Sequence, residues 1–77
     1  RLRAIREAKN MGTQAQAATS LGVERSRYTN WENGVWPISL PKAIRLRELT
    51  GATLDYIYAG DPSGLPLDLA RSLKLIG

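Results

Sequence analysis

Arg25, Ser26, Thr29, Asn30 and Asn33 are the side chains of this 77-residue chain best suited to recognising another molecule. On a helix with Arg25 at zero, Thr29, Asn33, Ser26 and Asn30 fall at about 40°, 80°, 100° and 140°, while Tyr28 and Trp31 fall at about 300° and 240°. The polar and apolar faces therefore oppose one another. A solvated face on a small domain usually carries Glu/Lys pairs for solubility. This one carries an Arg and short amide or hydroxyl groups, with Arg27 as a second cation on the same segment. Such groups hydrogen-bond base edges and phosphates without holding a helix away from a DNA groove. The plainer alternative is a polar face of incidental composition.

The elements that must position this face are two short helices joined by a tight turn. Thr13 is a good N-cap for a helix running to Leu21, and Gly22 suits the left-handed turn after it. Ala17 and Ala18 are small enough to let two helices cross at a steep angle. Leu21, Val23, Tyr28 and Trp31 supply apolar anchors on both sides of the turn. A generic helical hairpin has the same ingredients, so spacing alone leaves both readings open.

The rest of the chain also reads as short helices, with little of the strict alternation a strand shows. Leu2, Ile5 and Ala8 stripe a first segment that Asn10 and Gly12 end. Helix three runs from Glu24 to Asn33. Ser39 can cap a fourth helix with Pro41 in its first turn, carrying Leu40, Ala43, Ile44, Leu46 and Leu49 to Gly51. Thr53 can cap a short fifth with Leu54, Ile57 and Tyr58 inward, ending at Gly60. After the Gly60–Gly64 linker, Leu65, Leu69, Leu73 and Ile76 form one stripe on a last helix. Trp36, in the loop before the fourth helix, is expected to fold onto the core.

Composition narrows the function. A chain this short hides only about 60% of its unfolded surface, so the core is modest. There is no Cys and no His, which removes thiol nucleophiles, imidazole bases, disulfides and Cys/His metal clusters. The seven carboxylates are scattered, with no paired acid/base site, so no catalytic residue, metal ligand, cofactor or small-molecule substrate is expected. No apolar run approaches the roughly 18 residues a membrane helix needs, and a cytoplasmic location is expected. The chain starts at Arg1 rather than Met, which implies that a native N-terminus precedes it. The net charge is +4, with nine Lys/Arg and four Asp/Glu in residues 1–50 and two against three beyond. The positive half contains the proposed reading face, as polyanion binding requires.

Thr13-Gln14, Ala18, Leu21-Gly22-Val23, Arg25-Ser26, Trp31-Glu32-Asn33-Gly34, Ser39-Leu40 and Gly51-Ala52-Thr53-Leu54-Asp55-Tyr56-Ile57 resemble the Cro/repressor-type (XRE-type) helix-turn-helix transcriptional regulators. The resemblance covers residues 1–60. It implies an all-α, compact five-helix Cro/repressor-like domain over 1–60 whose third helix enters the major groove of double-stranded DNA; residues 61–77, read from their own composition and stripe, are expected to be a linker and a C-terminal tail helix. It also implies a bacterial or phage-encoded regulator. Carried over by position, Gln14 would hold a phosphate, Arg25, Ser26 and Asn30 would face base edges, and Asn33 with the Gly34 backbone would grip a flanking phosphate. Arg6 and Glu32 would form the buried ion pair common in the family.

The chain departs from that pattern in several places. The Asn10-Met11-Gly12 connector is longer than usual, which puts the Arg6 pairing in question. Tyr28 stands where Ile or Val is preferred, so its hydroxyl needs solvent or a partner. Glu24 replaces a Ser or Thr cap, and Val35-Trp36 replaces a basic clamp. Single heads of this kind read few base pairs, so a homodimer on a palindromic operator is expected. The tail stripe could supply the dimer contact or could complete its own core. Two competing functions are a helical protein-interaction module on the same fold and the antidote half of a toxin–antitoxin pair.

Overall fold

The computed structural model describes residues 1–75, and they fold as six helices with no strand. Helix α1 is Leu2–Ala8, α2 is Gln14–Leu21, α3 is Arg25–Glu32, α4 is Leu40–Thr50, α5 is Leu54–Ala59 and α6 is Leu67–Ser72. Five helices thus precede the linker and one follows it, as expected.

Local chemistry sets most boundaries. Thr13 accepts from the Gln16 backbone N–H at 3.1 Å while Gln16 Oε1 accepts from the Thr13 N–H at 2.8 Å. This reciprocal cap satisfies two donors that the first turn of α2 leaves without partners. Thr53 caps α5 with half of this arrangement, its hydroxyl accepting from the Tyr56 N–H at 3.0 Å. Gly22, at φ 71°, closes α2 in the left-handed region and turns the chain into α3, a conformation that would strain a residue with a Cβ. Ser39 occupies the cap position of α4 without a side-chain cap bond, and Pro41 sits in the first turn.

The core joins all six helices. Ile5, Ala17, Ala18, Leu21, Tyr28, Trp31, Ala43, Leu46, Ile57 and Leu69 are buried together. The alanines do what their size allows: Ala17 and Ala18, at 0% and 1% exposed, sit where α2 packs against α3 and α4. Tyr28 and Trp31 meet edge to face, ring centroids 6.3 Å apart, a favoured aromatic arrangement.

Several apolar expectations need correction. Leu40 and Leu49 of α4 are exposed, leaving Ala43 and Leu46 as its buried apolar residues. In α5 the inward pair is Tyr56 and Ile57, whereas Tyr58 is exposed and donates its hydroxyl to the Ile38 carbonyl at 2.7 Å. Trp36 does not fold onto the core; it is 61% exposed, and Ile38, at 6%, fills the place instead. The tail stripe turns inward: Leu69 is 1% exposed, and Leu65 and Leu73 pack against the core from the sides. Its helix is shorter than the stripe, and Ile76 lies outside the described residues. The radius of gyration, 11.5 Å, is about that of a fully compact chain of this length. The tail therefore belongs to the same body as the five helices before it.

Candidate nucleic-acid interface

The third helix presents its polar face outward. Arg25, Ser26, Thr29 and Asn30 line one shallow cleft on α3, the grouping expected from their angular spacing. Among the described residues, the side chains of Arg25, Ser26 and Asn30 make no hydrogen bond or ion pair with the protein. Their donors and acceptors are available to a ligand. Asn33 follows on the same side, exposed, at the end of α3. Gly34 there takes φ 75°, and the Val35 N–H reaches back to the Asn30 carbonyl at 2.9 Å.

Gln14 stands apart from these residues in one respect. Its amide N–H donates to Glu32 Oε1 at 3.1 Å, and its carbonyl oxygen accepts from the Thr29 hydroxyl at 3.2 Å. A Gln amide has two N–H groups, so one donor remains. With Thr13, Ala15 and Arg25, Gln14 lines a recess that joins the start of α2 to the start of α3. Arg27 is not brought to the Arg25 cleft. It lies on the other flank of α3, sharing a recess with Gly22, Glu24 and Lys42. Sequence reasoning missed Lys42, whose only signal is its charge in the first turn of α4. Arg27, Lys42 and Glu24 thus line one recess, though no ion pair joins Glu24 to either cation among the described residues.

Beneath the face lies a polar network that fixes its orientation. Arg6 Nε donates to Glu32 Oε2 at 2.7 Å and its Nη1 donates to the Gly12 carbonyl at 2.8 Å. The Arg6 and Glu32 side chains are 12% and 3% exposed, so this is the interior pair that the resemblance implied, not a surface contact. The long connector does not displace it, because Asn10 and Gly12, both at positive φ, fold the extra length into a turn. The buried Tyr28 hydroxyl lies beside the same network, close enough to Glu32 and Arg6 to be influenced by both. Burial opposes ionisation of Glu32, yet the hydrogen bonds from Arg6 and Gln14, with the Tyr28 hydroxyl nearby, outweigh it and hold the carboxyl below its ordinary value. Burial, reinforced by Glu32, pushes the Tyr28 hydroxyl up. Every polar side-chain atom buried among the described residues has a hydrogen-bond partner.

Two short helices crossing over a glycine turn, the second with a polar face left largely unpaired, define a helix-turn-helix DNA-binding domain. A family model described as "Helix-turn-helix" matches residues 2–57. The chain belongs to this family, the XRE-type or Cro/repressor-type helix-turn-helix proteins. No curated protein and no solved structure matches the chain. Among the described residues no helix is long and apolar enough to cross a membrane.

Proposed function

We propose that the chain is a sequence-specific transcriptional regulator, a repressor, that reads the major groove of double-stranded DNA with α3. The observation that carries this reading is the outward cleft of Arg25, Ser26, Thr29 and Asn30, whose hydrogen-bonding groups are largely unused by the protein. In this reading Arg25, Ser26 and Asn30 face base edges. Gln14, through its second amide N–H, and Asn33 hold phosphates on either side. Arg27, with Lys42 beside it, adds positive charge along the flanking backbone. The protein acts as a homodimer on a palindromic operator in the cytoplasm, without a cofactor, and is not an enzyme. Since Leu69 is buried in its own core, the dimer contact falls elsewhere than on that stripe. Val35 and Trp36, exposed side by side after α3, favour the second reading, a helical module that docks on another protein.

Selection from random duplex DNA tests the proposal. The selected sequence should contain two inverted half-sites about one helical turn apart. With about four to seven phosphate contacts, log affinity for it should fall with log salt at a slope of roughly −4 to −6. Failure to enrich any sequence, or binding indifferent to salt, overturns it in favour of the protein-docking reading.

Arg25→Ala separates base reading from backbone holding. The guanidinium can donate two hydrogen bonds to guanine O6 and N7, so its loss should cost about 1–3 kcal/mol and relax preference at one base pair of each half-site. A binding profile on a randomised half-site checks this. A folded Arg25→Ala chain with unchanged affinity and preference means that α3 is not the reading head.

A further inference from the structure

Thr29 differs from its neighbours in the α3 cleft in how its hydrogen bond is used. Arg25, Ser26 and Asn30 direct no side-chain donor into the protein, whereas the Thr29 hydroxyl gives its only proton to Gln14 Oε1 at 3.2 Å. Gln14 is in turn held from its other end by Glu32, and Glu32 by Arg6 at 2.7 Å. The chain of bonds runs from the interior outward and ends at Thr29, so the hydroxyl is oriented by three residues behind it. Thr29 nonetheless lines the cleft and is half-buried. A threonine Cβ carries a hydroxyl, a methyl and a hydrogen. With the hydroxyl engaged towards α2, the methyl and the Cβ hydrogen are what Thr29 has left for the cleft, and the methyl is the one large enough to line it.

We infer that Thr29 is a specificity-determining residue that acts through its methyl group, forming with its polar neighbours a site for the C5-methyl of a thymine. The inference rests on the proposed reading of the major groove by α3. The chemistry selects thymine because it is the base that presents an apolar group there, and a threonine methyl is a suitable counterpart. A hydroxyl free to rotate would accept from or donate to several bases and discriminate little. One whose donor is engaged leaves an apolar patch between hydrogen-bonding groups on either side. Gln14 and Glu32 then act as positioning residues for base preference.

Uracil substitution within the selected duplex tests this, because deoxyuridine lacks the C5-methyl and keeps the O4 acceptor. With the wild-type chain, one thymine of each half-site should be sensitive, its replacement weakening binding roughly fourfold, the size expected for losing one buried methyl contact. Thr29→Ser retains the hydroxyl and removes the methyl. It should bind the thymine duplex about fourfold more weakly and show no further loss with uracil at that position. Thr29→Val retains a methyl and removes the hydrogen bond; it should keep a uracil penalty at the same thymine. Circular dichroism establishes that both variants are folded. The inference is overturned if no thymine is uracil-sensitive, if the penalty persists undiminished in Thr29→Ser, or if it vanishes in folded Thr29→Val. In each of those results the chain still binds DNA, so they overturn the inference while the reading by α3 is decided separately by the Arg25→Ala profile. Absence of binding to any duplex overturns that reading and the inference with it.

Discussion

Truncating Trp31 to alanine should lower the thermal melt steeply, removing a quarter or more of the stability, whereas the same truncation at Trp36 should barely move it. The two residues are five positions apart and identical in type, yet Trp31 is 7% exposed and Trp36 is 61%. Removing a buried indole leaves a cavity and forfeits its apolar transfer, about 3–5 kcal/mol. A domain of this length holds only about 4–12 kcal/mol in total. Trp31 also loses its edge-to-face contact with Tyr28, so the neighbouring anchor of α3 loosens with it. At Trp36 the ring has little to lose, and the change should stay within about 0.5 kcal/mol. Thermal melts followed by circular dichroism check both. A Trp36→Ala chain as unstable as Trp31→Ala contradicts the loop placement.

Glu32→Ala should destabilise the fold by about 3–5 kcal/mol, because it strands the Arg6 cation in the interior. Gln14 loses its carboxylate partner in the same stroke. Changing Arg6 and Glu32 together to methionine should cost far less than either single change, since no charge is then left unpaired. The same carboxylate sets an acid limit. Its folded pKa lies below the ordinary 4.5, so its contribution is fully present above the unfolded value and is lost as pH falls through the folded one. Tyr28 acts in the opposite direction. Its pKa is raised above 10.0, so the stability it carries is present below that value and fades as alkaline pH approaches the folded one. Denaturant melts across pH should show a plateau with both shoulders. Glu32→Gln should flatten the acid shoulder, and an acid limb unchanged in that variant contradicts the assignment.

Elements governed by near neighbours were the most legible in the sequence. Thr13 and Thr53 act on backbone groups three residues away, and Gly22 acts on its own dihedral angle. The angular reading of α3 succeeded because Tyr28 and Trp31 are large enough to set which side faces in. In α5 six residues make too few turns for periodicity to fix the phase, and Tyr56 rather than Tyr58 went inside. Trp36 stays outside while Ile38, two residues on, is the loop side chain that enters the core; residue type alone does not say which of two near neighbours goes in. The bond from Thr29 to Gln14 spans 15 positions and depends on how α2 crosses α3. Nothing local announces it. The Arg6–Glu32 pair, 26 positions apart, was visible only through the family resemblance.

The grip of Arg6 on both Glu32 and the Gly12 carbonyl has a bearing on the thermodynamics of docking. One guanidinium ties α1, the connector and the last residue of α3 into a single rigid block, and Gln14 adds the start of α2 to it. A recognition surface assembled in advance forfeits little conformational entropy when it meets its target. The three free side chains of the cleft still have to settle, but the backbone beneath them does not. Discrimination between targets then comes from contacts at the surface, with little energy diverted to building the surface itself.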